Sequence, residues 1–432
     1  MKIIFVLHQF SATNTGGTEL VVGQLAAALR ARGHDMVIVA GSLERAACTR
    51  VDHEIVAGLP VLRLHRDDLH FENWWKAWSP GVSATFARLL AEHRPDVVHV
   101  HHWLRTTTDF ARLAREAGAV AAITFHDHFA VLAGAVRAFG QDRPEPPAAS
   151  GLIGALEARE AFAFHRDDLA DEIAAAHLLY APSRAHAESI RRLAVVDPGK
   201  IMASPPPQHS RGFPRRPGAA RGRRLAAFGS LYEAKGSHVL LDALRLAASR
   251  GYTWELELFG SAASPEYEAR LDVASRGLPV RRHGAFSIEQ VAAVAADYAV
   301  FPALTHESYG LVIDEAQALG LPMLLSDLPA YREHAPVGSC VFFSPGNAEQ
   351  LAALLCAPEL LGELPPPVPP TVVEPDALVT GLLADYSRAR TEHVAPRPPI
   401  VTQARRVAML WARSERRFWS ALQVPHPPAP TE

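Results

Sequence analysis

Two glutamates with seven residues between them lie in the stretch most suggestive of chemistry, THESYGLVIDEAQALGLPMLLSD at 305–327. A helix that begins near Ser308 leaves the backbone N–H groups of its first turn unpaired, and such an N-terminus favours an anionic diphosphate. These amides belong to Tyr309, Gly310 and Leu311. Glu307 then stands at the helix start, while Glu315, about two turns further along, can reach a sugar diol of the same ligand.

A lysine precedes a glycine in GSLYEAKGS at 229–237. This is the reverse of the GK[ST] order of a P-loop, so a P-loop is not predicted. No GxGxxG follows the first apolar run, which disfavours a dehydrogenase, and Gly16-Gly17 alone is equally typical of an ordinary turn. Lys235 is one of only four lysines in an arginine-rich chain, which fits a point-charge contact with phosphate.

Histidines cluster in DVVHVHHW at 96–103 and TFHDH at 124–128. They are His99, His101, His102, His126 and His128. A metal site is the less favoured interpretation, because strand alternation sends His99 and His101 to one face and His102 to the other. The three cysteines are widely spaced and form no CxxC pair, which indicates neither a disulfide framework nor structural zinc and fits a reducing cytoplasm.

A repeating strand-helix pattern must position these residues. Continuous apolar runs, rather than alternating ones, predict strands covered on both faces, as in a doubly wound parallel sheet. In the first half we predict strands at 3–7, 36–40, 61–64, 97–100, 121–124 and 178–181, with helices at 20–32, 82–93, 106–117, 154–164 and 184–193. In the second half we predict strands at 224–228, 256–259, 280–283, 299–301, 323–326 and 341–343, with helices at 237–249, 265–275, 288–296, 308–318 and 348–355.

The stretch from 204 to 224 is rich in proline and arginine and therefore reads as a linker. We predict an N-terminal Rossmann-like domain at 1–205, a C-terminal Rossmann-like domain at 222–395 and a separate C-terminal helix at 400–423. Val407, Leu410, Trp411, Phe418 and Leu422 are spaced as the apolar face of that helix, which we expect to pack on a domain surface.

Composition limits the classes of function. The 432 residues are 48% hydrophobic and 21% charged, as expected of a globular protein of about two domains. A formal charge of −3 argues against a general nucleic-acid binder. No apolar run reaches about 18 residues, so a membrane span is not predicted, although contact of the tail arginines with a membrane surface stays open.

The stretch HESYGLVIDEAQALGLPM closely resembles the E-x7-E element of the retaining glycosyltransferases of family 4. That family has the GT-B fold, an α/β architecture of two Rossmann-like domains facing across a cleft. The resemblance covers most of the chain and implies an N-terminal acceptor-binding domain and a C-terminal nucleotide-sugar-binding domain. It implies a cytoplasmic enzyme that transfers a sugar from a nucleotide-diphosphate sugar to a hydroxyl acceptor such as a glycan or glycolipid.

The resemblance also assigns roles to individual residues. Glu307 would lie against the donor sugar and Glu315 would bind the nucleotide ribose, while His126 would contact the donor sugar. Lys235 matches the lysine that neutralises the diphosphate, but Ser230, after Gly229, stands where the family usually has arginine. The remaining donor contacts are Gly16 and Gly17 of the TGGTE loop and the amides of Ser308, Tyr309, Gly310 and Leu311.

No metal and no other cofactor is expected, because Lys235 and the helix N-terminus can stabilise the leaving diphosphate and no DxD triplet stands on a plausible loop. Acceptor choice is assigned to N-terminal loops at 70–80 and 135–151, and Trp74, Trp75 and Trp78 of the first loop can stack on sugars or anchor the loop equally well. Two alternatives remain: a catalytically weak GT-B-like protein that binds a nucleotide or glycan, and another GT-B enzyme such as a sugar-nucleotide epimerase.

Overall fold

The computed structural model describes residues 1–12, 16–66, 78–132, 137–138, 151–195, 197–207, 222–369, 373–391, 399–409 and 411; for 137–138 and 151–158 it describes the backbone only. The first half contains β1 (Lys2–Leu7), α1 (Gly17–Ala31), β2 (Asp35–Arg45), β3 (Arg50–Val56), β4 (Leu59–Arg66), α2 (Pro80–His93), β5 (Val97–Val100), α3 (Phe110–Glu116), β6 (Val120–Thr124), β7 (Arg137–Ala138), α4 (Gly151–Ala175), β8 (Leu178–Ala181), α5 (Arg184–Leu193) and β9 (Met202–Ala203).

The second half begins after the proline-rich stretch. It contains β10 (Arg224–Phe228), a 3-10 turn (Glu233–Lys235), α6 (Ser237–Ser249), β11 (Glu255–Phe259), α7 (Pro265–Ser275), β12 (Val280–Gly284), α8 (Ile288–Ala293), β13 (Tyr298–Phe301), β14 (Thr305–His306), α9 (Leu311–Ala318), β15 (Met323–Ser326), α10 (Pro329–His334), β16 (Cys340–Phe343), α11 (Ala348–Leu355), α12 (Pro358–Gly362) and α13 (Pro375–Thr391).

Each half builds its own sheet. Apart from β7, which pairs with β14 in a separate two-stranded sheet, the described strands of the first half form the order β3-β4-β2-β1-β5-β6-β8-β9, parallel except for the β3–β4 hairpin. Those of the second half form β12-β11-β10-β13-β15-β16, parallel throughout. Buried side chains cover both faces of each sheet, which is why the strand sequences read as continuous apolar runs. The predicted pair of doubly wound α/β units is confirmed.

Several local predictions are wrong. The helix expected at 106–117 begins at Phe110, because Trp78 Nε1 and Thr107 Oγ1 bind the preceding Asp109 carboxylate at 3.0 and 2.9 Å. The helix expected to end at 164 continues as α4 to Ala175, and the β3 strand was not predicted. Within α4, Glu172 accepts the first-turn amide of Ala111 at 2.6 Å, so an acidic stretch in this helix serves as a cap for α3.

Helix α13 returns from the second half of the chain to the first domain. We placed residues up to 395 in the C-terminal domain, but Val379, Leu382 and Tyr386 are buried in the N-terminal core beside α1. Tyr386 Oη also lies 2.6 Å from His99 Nδ1. The helix therefore ties the two halves together.

The tail meets the first domain through polar contacts as well as apolar ones. Residues 403–409 are helical, and Val401 packs with Phe164 of α4. The guanidinium of Arg406 pairs with the buried Asp168 at 2.5 Å. Of the residues expected on the tail's apolar face, Val407 and Trp411 are described, and they are 51% and 62% exposed rather than packed on the domain. The rest of the predicted 400–423 helix lies outside the described residues. In the described part of the chain, no helix is long and apolar enough to cross a bilayer.

Candidate active site

A cavity of about 350 Å³ opens where the strand ends of the two domains face each other. The N-terminal domain contributes α1 residues and His126, while the C-terminal domain contributes the loop after β10 and the segment before α9. The predicted site residues that line the cavity are Gly17, His126, Gly229, Ser230, Lys235, Glu307, Ser308, Tyr309, Gly310 and Leu311. Residues from two separate sequence regions, about 200 positions apart, thus share one space.

Direct contacts hold the domains together beside this cavity. Ser183 caps α5 by accepting the His186 amide at 3.0 Å, and its hydroxyl donates to the Ser308 carbonyl oxygen at 2.7 Å. The amides of Arg184 and Ala185 donate to the Glu333 carboxylate at 2.9 and 2.8 Å. The first turn of α5 therefore fixes the segment before α9.

Lys235 and Glu307 form the charged centre of the cavity. Lys235 Nζ donates to Glu307 Oε1 at 2.6 Å, with the two side chains 31% and 13% exposed. Burial disfavours the ammonium, but the Glu307 carboxylate and Tyr232 outweigh it and raise the pKa of Lys235. Lys235 therefore carries its positive charge at neutral pH. Among the described lining residues, Lys235 is the only lysine or arginine.

Helix α9 begins three residues later than predicted, at Leu311 rather than Ser308. Gly310 precedes it with φ 97°, and a Cβ at this position would lie 2.6 Å from Tyr331 Cε1, so a larger residue fits neither the backbone nor the space. The Ile313 amide already donates to the Gly310 oxygen at 2.9 Å. The first-turn amides that have no acceptor within the helix are consequently those of Leu311 and Val312, and both residues line the cavity.

Glu315 lies one helical turn beyond Leu311 and is not among the residues that line the cavity. Burial, followed by the charge of Asp314, raises its pKa to about 7. Gly16, the residue before α1, is also not among the residues that line the cavity, whereas Gly17 is. A Cβ on Gly17 would lie 3.3 Å from Leu311 Cδ1.

Histidines gather where β5 and β6 end. His126 Nε2 lies 2.9 Å from His101 Nδ1. Burial, opposed by Asp127 and reinforced by His102 and His186, lowers the pKa of His126 to about 3, so the ring is neutral. Within the described ranges, no group of three His, Cys, Asp or Glu side chains is arranged to hold a metal ion. The rings contact one another, and His128 also contacts the ring of His306 from the C-terminal domain.

Sequence reasoning missed Asp127. The stretch TFHDH was quoted for its histidines, but Asp127 follows His126 at the same sheet edge and its side chain is 34% exposed. The signal available in the sequence was an acidic residue directly after a histidine that follows a predicted strand. The acceptor loops proposed at 70–80 and 135–151 fall largely outside the described residues, although the backbone of β7 pairs with β14 of the other domain.

Two family models match the chain. Residues 15–207 match the model described as Glycosyltransferase Family 4, and residues 222–357 match Glycosyl transferases group 1. A relative named D-inositol 3-phosphate glycosyltransferase, from Jonesia denitrificans, is 30% identical over 74% of this chain and 77% of its own length. A protein of the same name from Mycolicibacterium vanbaalenii is 28% identical over 95% and 92%.

Solved structures share the fold at low sequence identity. Sucrose-phosphate synthase from Thermosynechococcus elongatus has a TM-score of 0.60 at 17% identity, covering 98% of this chain and 100% of its own. The catalytic domain of Arabidopsis thaliana starch synthase IV, bound to ADP and acarbose, has 0.59 at 14% identity, covering 90% and 99%. Anabaena HepE with UDP and glucose has 0.55 at 16%, covering 90% and 98%. The chain therefore belongs to glycosyltransferase family 4 and is a glycosyltransferase with the GT-B fold.

Proposed function

We propose that this protein transfers a sugar from a nucleotide-diphosphate sugar to a hydroxyl acceptor, with retention of anomeric configuration and without a metal ion. One observation carries the proposal: Lys235, Glu307 and the first-turn amides of α9 converge on one cavity, and His126 of the other domain lines the same cavity. Such a set suits a ligand whose diphosphate and sugar lie between the two domains.

The charges match the needs of the reaction. When the bond between the anomeric carbon and the phosphate oxygen breaks, negative charge grows on the diphosphate and positive charge on the sugar. The ammonium of Lys235 and the amides of Leu311 and Val312 stabilise the diphosphate. The Glu307 carboxylate, which is paired with Lys235 at 2.6 Å, stands where it can contact the sugar. These groups supply the stabilisation that a metal ion provides in other transferases.

Retention follows if the acceptor attacks the face from which the diphosphate departs. The acceptor oxygen forms its bond to the anomeric carbon, the bond to phosphate breaks, and the acceptor proton passes to the departing phosphate oxygen. No protein base is then needed, and His126, whose pKa burial lowers to about 3, would be only a weak base. Its ring can donate a hydrogen bond to the donor sugar without adding charge.

Glu315 is proposed to bind the ribose of the nucleotide. It lies on α9 one turn from the amides assigned to the diphosphate, and the family resemblance assigns ribose binding to this glutamate. The HepE and starch synthase neighbours contain UDP and ADP, respectively. These ligands support a nucleoside diphosphate here and make UDP and ADP the first candidates to test.

Contact with a membrane surface is proposed for the tail. Val407 and Trp411 face outward, while Arg406 anchors the segment to α4. Arginines recur in the following sequence, at 413, 416 and 417, so an anionic lipid surface suits this face. Co-sedimentation with anionic vesicles should fall when Trp411 is replaced by serine. The cytoplasmic location stays a prediction from the cysteine pattern.

The donor site is tested by a binding screen. Purified protein is measured by thermal shift against UDP-, ADP-, GDP- and dTDP-sugars, with and without EDTA. A ligand at 100 times its Kd adds about 2.7 kcal/mol to the free energy of unfolding, which is readily visible as a shift in Tm. A selective, EDTA-insensitive shift that Glu315→Ala weakens supports the proposal. If none of the nucleotides shifts the Tm, the proposed donor site is wrong.

A further inference from the structure

Asp127 is a carboxylate held rigidly at the edge of the cleft. Its Oδ1 accepts the Phe129 amide at 2.8 Å, and its Oδ2 lies 3.1 Å from Nε2 of His102. The side chain remains 34% exposed, so the carboxylate has further lone pairs that can accept hydrogen bonds. Neither the family models nor the names of the relatives assign this residue a role.

The structure also fixes the tautomer of His102. Its Nδ1 accepts the Leu104 amide at 3.0 Å, so its Nε2 carries a proton and donates to Asp127. The ring of His102 lies between those of His8 and Phe129, with centroid distances of 4.6 and 4.9 Å. It cannot turn away without losing both the hydrogen bond and these contacts.

Asp127 is ionised in this setting. Burial opposes its charge, but the His102 imidazole and the Phe129 amide outweigh burial and lower the pKa to about 2. The histidines around it are neutral: burial above all lowers the pKa of His126 to about 3 and that of His186 to about 4. The Asp127 carboxylate is therefore negatively charged, while the neighbouring rings of His126 and His186 are neutral.

The position of Asp127 points to the acceptor rather than the donor. It directly follows the cavity residue His126. Its charge also reaches the other domain: burial is the largest cause of the raised pKa of Tyr232, and Asp127 is among the contributors. The donor diphosphate is assigned to Lys235 and α9 of the C-terminal domain, whereas Asp127 lies on the N-terminal side, next to the lining residue His126.

We propose that Asp127, oriented by His102, binds hydroxyl groups of the acceptor, and that the acceptor is an uncharged polyol where it meets this residue. Hydroxyl groups donate to a carboxylate, whereas a phosphate monoester would place like charges together in a partly buried site. This inference rests on the proposed function. It also distinguishes the chain from relatives that are named for a phosphorylated inositol.

The test compares acceptors and variants with the nucleotide sugar that the binding screen selects. The acceptor probes are myo-inositol and D-glucose, each beside its phosphate monoester. We expect transfer to the neutral polyols by the wild-type protein. Asp127→Asn should raise the acceptor KM by roughly 10- to 100-fold, as for a lost charge-assisted hydrogen bond, and leave the Kd of the nucleoside diphosphate unchanged.

Two further variants separate charge from packing. Asp127→Glu keeps the charge and should recover part of the lost acceptor affinity. Asp52→Asn is the matched control, because Asp52 lies on the exposed β3 strand, and it should change neither constant. An unchanged acceptor KM in Asp127→Asn overturns the inference, as does transfer only to phosphate monoesters or to none of the neutral polyols. A wild-type protein that binds no nucleotide contradicts the proposed function instead.

Discussion

Replacing Lys235 by alanine removes the one lysine or arginine among the described residues that line the cavity. The family pattern that the sequence resembles has an arginine where this chain has Ser230, so on the proposed roles Lys235 acts without that second cation. Removing one preorganised donor to a developing oxyanion typically lowers kcat about 10²- to 10³-fold. With no second cation beside it in the described cavity, we expect a loss near the upper end, about 10³-fold.

The same substitution changes the ground state. Glu307 is 13% exposed and loses its partner at 2.6 Å, so its charge would repel the diphosphate that binds beside it. We therefore expect the Kd of the nucleoside diphosphate to rise as well as kcat to fall. The double variant Lys235→Ala/Glu307→Ala should lose less nucleotide-binding free energy than the two single variants added together. Each single variant leaves one buried charge without its partner, whereas the double variant leaves none.

The assay is steady-state transfer from the donor selected by thermal shift, with nucleotide Kd measured by calorimetry. Lys200→Ala is the matched control. Lys200 is exposed and lies just before β9, in the N-terminal domain and away from the residues that line the cavity. Ser230→Arg should tighten donor binding and partly restore transfer in the Lys235→Ala background. A loss of less than about 10-fold in Lys235→Ala would refute the assignment of Lys235 to the leaving group.

Three other predictions concern stability. Burial raises the pKa of Glu315 from its ordinary value of 4.5 to about 7. Between these two values the folded state binds more protons than the unfolded state, so the free energy of unfolding falls as pH rises. Glu315→Gln should flatten this dependence in urea titrations at pH 5 and 8. Gly310→Ala should cost about 2 kcal/mol or more and lower the Tm, because the residue has φ 97° and meets Tyr331; an unchanged Tm would show that the α9 start is not constrained in this way. Arg406→Met leaves Asp168 buried without its cation and should cost about 3–5 kcal/mol in chemical denaturation, whereas adding Asp168→Leu should recover most of the loss; no loss in the single variant would contradict the tail contact.

Most of the fold could be predicted from the sequence because its strands are buried on both faces. Runs such as 97–100 and 323–326 are short, apolar and bounded by loops, and each is a strand with those bounds. The periodicity of α6 and α11 likewise predicted both helices to the residue. Local pattern was sufficient wherever a segment packs against its own neighbours in the chain.

The failures lie where a distant segment decides the outcome. Helix α13 joins the first domain because Tyr386 meets His99, a contact across 287 residues that no local pattern reveals. The acidic residues of α4 have distant partners: Asp168 pairs with Arg406 of the tail, and Glu172 accepts the Ala111 amide in the first turn of α3. The tail is another case. Arg406 and Val401 make its contacts with α4, and Val407 and Trp411 are exposed.

In the candidate site, too, the local motifs identified individual residues but not the contacts between distant ones. Motif spacing identified Glu307, Glu315 and Lys235, but the ion pair between Lys235 and Glu307 spans 72 residues and emerged only from the structure. The true start of α9 depends on the packing of Gly310 against Tyr331. The proposed roles of these residues stay predictions until the variants are measured.

The central claim is retaining transfer from a nucleotide sugar bound between the domains. Its most direct test is proton NMR of the first product formed from an α-linked nucleotide sugar, with the anomeric coupling recorded before any mutarotation. We predict an α-linked product whose formation continues in EDTA and drops about 10³-fold in Lys235→Ala. A β-linked product, or transfer that stops when metal is removed, would contradict the account.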